Sequence, residues 1–532
     1  MGAPSDLVLR RGRVWAGKGL PPATALSVRD GRVEAVGGDA EVDALAGPGT
    51  RVVDLRGRLV VPGFNDAHVH FLDGGFSLLS VDLRPARDEA EFARRLGEHA
   101  RTLPAGRWIR NGNWDHEAWP SKREPTRALV DPVTPEHPVF VNRLDVHMAL
   151  ANSLALRLAG VTRDTPDVPG GTIVKDARGE PTGLLKDKAM GLVSRVVPEP
   201  TREMNLVAAR RALAEAARFG VTSVQDCSSI DALPTYMELR DRGELTARVY
   251  AWRPESSLPA LRQGGVRPGL GDDRLRLGAV KIFSDGSMGS STAAFFAPYA
   301  DEPGNTGLLL HADGELSRLV EQADRDGFAL AVHAIGDRAN ALVLDAFAAA
   351  AAANGPRDRR FRIEHAQVVR ERDLDRFRAL GVVASIQPSH CADDLRWAER
   401  RIGRDRCGDA YRFRSFLDRG VAVALGTDWP VEPLDPRPGL HAAVTREHPD
   451  EGPAGGWFAQ EKVSLEDALD AATRGSAYAE FAERRKGTLV PGRLADLAVF
   501  GGDLFAVPPR EILSLPVDLT VVGGDVVFER RP

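Results

Sequence analysis

Six side chains suited to metal-assisted chemistry close apolar runs of strand length in this chain. In VVPGFNDAHVHF, His68 and His70 stand two residues apart, so in an extended segment both imidazoles point to the same side. LGAVKIFSDG sets Lys281 among apolar residues, ALAVHAIGD carries His333, FRIEHAQ carries His365, and VALGTDWPVEP carries Asp428. Each taken alone has a plainer explanation. An H-x-H arises by chance, a single strand histidine is commonly a satisfied core residue, a strand-end lysine can snorkel, and an aspartate after a threonine can cap a helix. Taken together, at the ends of separate runs, they read as metal-ligand side chains converging on one mouth.

The elements that must position these groups alternate in a β/α manner. Apolar runs of strand length occur at 59–64, 220–224, 248–252, 275–283, 328–332, 361–363, 382–386 and 421–425. Helical patterns rich in Ala, Leu, Glu and Arg lie between many of them, at 203–218, 315–325, 339–353 and 370–380. Eight such strands predict an α/β chain built on a closed parallel (β/α)8 TIM barrel, whose catalytic groups sit at the carboxyl ends of the strands. The gap from the first strand to the second, roughly 71–219, far exceeds an ordinary βα loop and predicts an insertion over the barrel mouth. Both ends of the chain carry short β-type runs. Asp30-Gly31 signals a hairpin near the start, and LADLAVF and VDLTVVGGDVVF alternate around a Gly-Gly turn near the end. The predicted organisation is a composite β-sandwich from 1–58 and 486–532, a barrel from 59–71 and 220–485, and an insertion domain over 72–219.

Composition excludes several functions. Seventy Lys+Arg against seventy-five Asp+Glu give a formal charge of −5, so no basic excess is available to neutralise nucleic acid or an anionic membrane. No apolar run approaches a membrane span, the first residues lack the apolar stretch of a secretory signal, and Asp6 stands where a myristoylation motif needs Ser or Thr. Three cysteines without a C-x-x-C pair fit a reducing compartment, and a cytoplasmic location is expected. No G-x-G-x-x-G follows a strand and no phosphate-binding P-loop is present, which disfavours a nucleotide enzyme.

Longer stretches carry a resemblance: GRLVVPGFNDAHVHF, NWDHEAWP, NRLDVHMALANSLAL, GEPTGLL, AVKIFSDGSMGSSTAAF, VHAIGD, RIEHAQ, IQPSH, GTDWPVEPLDPRPGLHAAVTR and RKGTLVPGRLADLAVF. Along nearly its whole length the chain resembles the amidohydrolase superfamily, in its YtcJ-like, amidohydrolase-3 group, which includes N-substituted formamide deformylases. The resemblance implies a distorted barrel with a small β-sandwich from both termini. It also implies that Lys281 is carboxylated to bridge two metals. On that reading His68 and His70 hold one divalent ion, His333 and His365 the other, and Asp428 contacts the more buried ion and shuttles the proton. Zinc is the expected metal, with one or two ions per chain.

The implied substrate is a small non-peptide amide, linear or cyclic, such as an N-substituted formamide. An esterase, lactonase or phosphoester hydrolase on the same centre and an inactive metal-binding scaffold are the alternatives, and a homodimer is the expected oligomer. Trp114 and His147 of the insertion, Ser284 and Asp285 beyond Lys281, and Gln387 at the seventh strand are the candidate substrate contacts. The tryptophans could equally fill the insertion's own core. Asp226 could orient a ligand histidine, His390 could line the mouth or cap a turn, and Cys227 and Cys391 read as small buried hydrophobes.

Overall fold

A computed structural model describes residues 4–228, 230–267 and 269–531. Its centre is an eight-stranded parallel sheet taken in chain order: Phe64–Val69, Val221–Asp226, Arg248–Pro254, Leu275–Phe283, Leu330–Ala334, Arg362–His365, Val383–Ile386 and Val423–Leu425. The eighth strand returns to the first and nearly closes the barrel. There the contacts are irregular: Asp428 N–H donates to His68 O at 2.7 Å, and His70 N–H to Trp429 O at 2.8 Å. Gly426 makes this seam possible, since a Cβ on it would stand 2.6 Å from the His68 amide nitrogen.

Seven of the eight strands fall where the apolar runs place them. The first does not. Leu59–Pro62 pairs antiparallel with Leu497–Phe500 in a terminal sheet, and the barrel strand begins only at Phe64. Gly63 is the hinge between these roles: it lies against Thr222, whose methyl would be 2.2 Å from an added Cβ, so only a bare backbone turns the corner here. One continuous apolar run therefore serves two sheets.

The terminal sheets are four-stranded (Leu7–Arg10, Ala25–Arg29, Arg32–Gly37, Arg51–Asp54) and five-stranded (Arg13–Val14, Leu59–Pro62, Leu497–Phe500, Val517–Val522, Asp525–Glu529). Leu9, Leu26 and Val28 of the first pack with Val60, Val499 and Val521 of the second in one buried cluster. Asp30-Gly31 and Gly523-Gly524 both have positive φ at each central residue, as two-residue hairpins with the native strand twist require. The long segment after the first strand folds around a five-stranded sheet of Ile109–Trp114, Val139–Arg143, Met148–Ala151, Gly171–Lys175 and Pro181–Asp187. Its two ends, helices Phe71–Ser77 and Arg202–Arg218, pack against each other and into the barrel's core. Among the described residues no helix is long and apolar enough to cross a membrane.

One buried ion pair joins barrel and terminal sheets. Arg248, opening the third barrel strand, donates to both carboxylate oxygens of Asp496 at 2.7 and 2.9 Å, and Gly523 N–H adds a third bond at 2.8 Å. Truncating one partner strands the other charge in the interior. Arg248→Ala should therefore cost about 3–5 kcal/mol, read as a lower urea midpoint, and Arg248→Ala with Asp496→Ala should recover part of the loss. A single variant with an unchanged midpoint would contradict this role.

Candidate metal centre

The carboxyl ends of the barrel strands open into a cleft of about 630 Å³, including solvent at its mouth. His68, His70, Lys281, His333, His365 and Asp428 all border it. The H-x-H spacing does what strand geometry demands, placing both rings inward with centroids 5.9 Å apart. His365 lies 5.0 Å from His68 and 4.5 Å from His333, ring to ring. Asp428 Oδ1 is 3.4 Å from His68 Nε2 and 3.3 Å from His70 Nε2, and Lys281 Nζ is 3.3 Å from His68 Nε2. Lys281 also lies over the Phe283 ring at 4.7 Å and the Trp252 ring at 5.9 Å.

Backbone conformation aims two of these groups. His365 and Asp428 have φ of 71° and 60°, a region that costs a non-glycine residue about 1–3 kcal/mol and persists only where surrounding structure enforces it. For Asp428 the enforcement is visible. Asp66, two residues before His68, accepts from Thr427 N at 3.0 Å, Thr427 Oγ1 at 2.5 Å and His68 N at 3.1 Å, locking strand one to the turn that carries Asp428. Burial pushes the Asp66 carboxyl up to about 7 despite these bonds.

Partners behind the rings decide which nitrogens face the centre. His68 Nδ1–H donates to Glu364 at 2.6 Å, leaving Nε2 to the cluster. Burial would raise Glu364, but Arg362 and His68 hold it down at about 2. His333 Nε2–H donates to Gly286 O at 3.0 Å, which leaves its Nδ1 as the free nitrogen. Desolvation, followed by neighbouring cations, takes His333 and His365 well below the ordinary imidazole range, so both are neutral donors. Burial pushes Asp428 up, but His68, His70 and His365 outweigh it and hold it well below the usual carboxylate range.

These residues fit a divalent cation. Asp428 Oδ1 and His365 Nδ1 are buried polar atoms without a hydrogen-bond partner, an arrangement that costs free energy unless something else pairs with them. Two sets of buried donor atoms lie within 4.8 Å of one another: His68, His365 and Asp428, and His68, His70 and Cys227. His333 stands beside the first set without joining it. Burial lowers His68, but the Cys227 and Asp428 charges outweigh it and lift the ring to about 9. Protons there supply the positive charge that these anions attract, and a bound cation would displace them.

The candidate substrate contacts divide. His147 borders the cleft, its Nδ1–H donating to Asp187 at 2.6 Å, with its ring 5.0 Å from His333. Trp114 does not: it is fully buried in the insertion's core with Phe92 and Trp119, and its Nε1–H donates to Val141 O at 2.9 Å. Ser284 and Asp285 lie behind the centre. Ser284 Oγ donates to His333 O at 2.5 Å, and Asp285 accepts from the backbone of Ala294, Ile335 and Gly336. Gln387 turns back to Ser385 O and does not border the cleft. Asp226 accepts from Phe71 N, Ser228 Oγ and Tyr236 Oη rather than from a histidine.

The walls come from residues that sequence patterns did not single out, among them Arg143, Asp145, Asp393, Asp394, Trp397 and Glu432. Glu364 and Asp66 were missed as well, although a carboxylate inside an apolar strand beside each histidine motif was a usable signal. Cys227 Sγ is 3.7 Å from His70 Nε2, and burial, which raises it, is outweighed by His68, His70 and Lys281, bringing the thiol down to about 5. Cys391 and Cys407, also buried, are pushed up to about 11 and 12, as buried apolar thiols should be.

Comparison with known proteins gives the same direction. The sequence model of the Amidohydrolase family matches residues 51–528. The chain is 37% identical to Protein LONG AFTER FAR-RED 3 of Arabidopsis thaliana, over 99% of this chain and 92% of that protein. It is 29% identical to the N-substituted formamide deformylase of Arthrobacter pascens, over 96% and 95%. Among solved structures, an uncharacterized metal-dependent hydrolase from Pyrococcus horikoshii OT3 is 30% identical, with a TM-score of 0.77 over 94% of this chain and 99% of that one.

Replacing Glu364 by Gln should lower affinity for a divalent ion about 10–100-fold by loosening His68. Competition with a chromophoric chelator measures this, and an unchanged affinity would remove Glu364 from the site's support.

Proposed function

Because the chain belongs to the amidohydrolase family, we propose that it is a metal-dependent hydrolase cleaving the C–N bond of a small non-peptide amide, with an N-substituted formamide as the leading class. The observation that carries this reading is the buried set of His68, His365 and Asp428 at the strand ends, with His70 3.3 Å from Asp428, bordering a cleft of small-molecule size. The formamide class is supported by the similarity to the Arthrobacter pascens deformylase.

Imidazole and carboxylate donors suit zinc first, and His68, His70, His333, His365 and Asp428 would hold one or two ions. When bound, such an ion acidifies water and polarises a carbonyl. Lys281 would add a bridging carboxylate after reacting with carbon dioxide: the amine nitrogen bonds to the carbon and one proton is released. Its Nζ is buried within 3.3 Å of His68 Nε2, in place for that role.

The residues then divide the work. Asp428, ionised at neutral pH, accepts the proton of the attacking water through Oδ1 or Oδ2 and returns it to the departing amine nitrogen as the C–N bond breaks. One amide and one water thereby give one carboxylic acid and one amine. His390, 3.8 Å from Asp428 and stacked on His365 with centroids 6.0 Å apart, borders the path that the substrate carbonyl must take. His147 and Phe283 form the facing wall. With this chemistry the protein would work as a small-molecule enzyme in the cytoplasm, and a homodimer is the oligomer we propose.

Chelation should abolish release of amine and formate from formanilide- or benzylformamide-type substrates, and zinc should restore it. Asp428→Asn should lower kcat by about 10²–10⁴-fold. Full activity in the chelated protein, or no cleavage anywhere in an amide panel, would sink the reading.

A further inference from the structure

We propose that Cys227 is a direct metal ligand, so that the ion beside the H-x-H pair is held by two imidazoles and a thiolate; this rests on the metal-dependent reading above. Cys227 directly follows the second barrel strand, on the same catalytic edge as the other ligands. Its position is fixed by its own backbone, because Cys227 N–H donates to Val69 O at 2.8 Å and ties the strand end to the residue between the two histidines. Sγ–H donates to that same carbonyl at 3.4 Å, and Sγ lies 3.7 Å from His70 Nε2.

Both imidazoles present the correct nitrogen. His68 Nδ1 is occupied by Glu364, and His70 Nδ1 lies 3.7 Å from Asp73, so both Nε2 atoms face the thiol. The three donor atoms lie within 4.8 Å of one another and all three residues are buried. A tetrahedral zinc site with Zn–N of about 2.05 Å and Zn–S of about 2.3 Å sets adjacent nitrogen and sulfur about 3.6 Å apart. The structure has 3.7 Å from His70 Nε2 to Cys227 Sγ, and His68 offers its donor atom within 4.8 Å of both. The spacing is that of neighbouring ligands rather than of a thiol packed in a hydrocarbon core.

A third permanent donor changes what Lys281 has to do. His68, His70 and Cys227 complete a three-residue site with an open fourth position without any bridging group. Thiolate softness favours zinc, cobalt or cadmium over magnesium or manganese. The chain should therefore keep one thiophilic ion even when Lys281 cannot be carboxylated.

Cobalt(II) loaded into the chelated full-length protein reports this directly, because a thiolate ligand produces a sulfur-to-cobalt charge-transfer band in the near ultraviolet that nitrogen and oxygen ligands do not. The band is expected in the wild type, in Cys391→Ser and in Lys281→Ala, and lost in Cys227→Ser. A wild type that binds cobalt without the band overturns the proposal and leaves the hydrolase reading standing. A wild type that binds neither cobalt nor zinc overturns both. Because the decisive spectrum is that of the wild type, a variant that fails to fold does not remove the test.

Discussion

A single guanidinium inside the barrel organises the centre. Arg362 lies on the sixth strand and is fully buried; it donates to both oxygens of Glu364 at 2.8 and 3.2 Å, to Ala67 O at 2.7 Å and to Ser385 Oγ at 3.0 Å, and it also bonds Gln225. Its face stacks on Trp252 at 4.7 Å. Strands one, two, three, six and seven thus meet on one planar fork, whose fixed donors suit this convergence better than a flexible ammonium would. The positive charge keeps Glu364 ionised, Glu364 sets the tautomer of His68, and His68 belongs to both donor sets. Its burial is tolerable because every direction of the fork has an acceptor.

Beyond the two end helices that share the barrel's apolar core, the insertion meets the barrel through polar contacts. Arg84 meets Glu432 at 2.9 Å, Arg401 meets Glu117 at 3.0 Å, and Ser287 Oγ donates to Asp145 at 2.5 Å, each joining the insertion to a segment that follows a barrel strand. Within the insertion Arg143 holds Asp115 and Asp145 at 3.2 and 2.8 Å. Buried pairs of this kind contribute little net stability, yet they tolerate few alternative geometries. They therefore fix the shape of the cleft wall, while the strand ends fix the reacting groups.

How much of this was legible in the sequence follows from the range of each signal. The barrel strands and the histidines, lysine and aspartate gathered at their ends were legible because period-2 burial and strand-end placement are local properties of a few residues. The first strand was misplaced because Leu59 to Phe64 reads as one run, and only the close approach of Thr222 to Gly63 shows where it bends. Trp114 looked like a pocket residue because an aromatic with a polar tip suits a pocket; its partner, Val141 O on a neighbouring strand, could not be read from NWDHEAWP. Arg143, Asp393 and Glu432 reach the cleft only through the tertiary arrangement of the insertion and two barrel loops. Cys227 reads in one dimension as a small buried hydrophobe, and only the fold sets its Sγ 3.7 Å from His70 Nε2.

The strand Leu59–Pro62 sits in register with Leu497–Phe500, so Val60 faces Val499 across about 440 residues of intervening chain. On a ribosome adding about 5–20 residues per second, the partner of Val60 emerges roughly 20 to 90 s later. Throughout that interval this strand has Arg13–Val14 along one edge, while the edge that Leu497–Phe500 fills stays open. Assembly of the catalytic end is thus coupled to the completion of synthesis, and a truncated nascent chain carries His68 and His70 without the sheet that holds them in place.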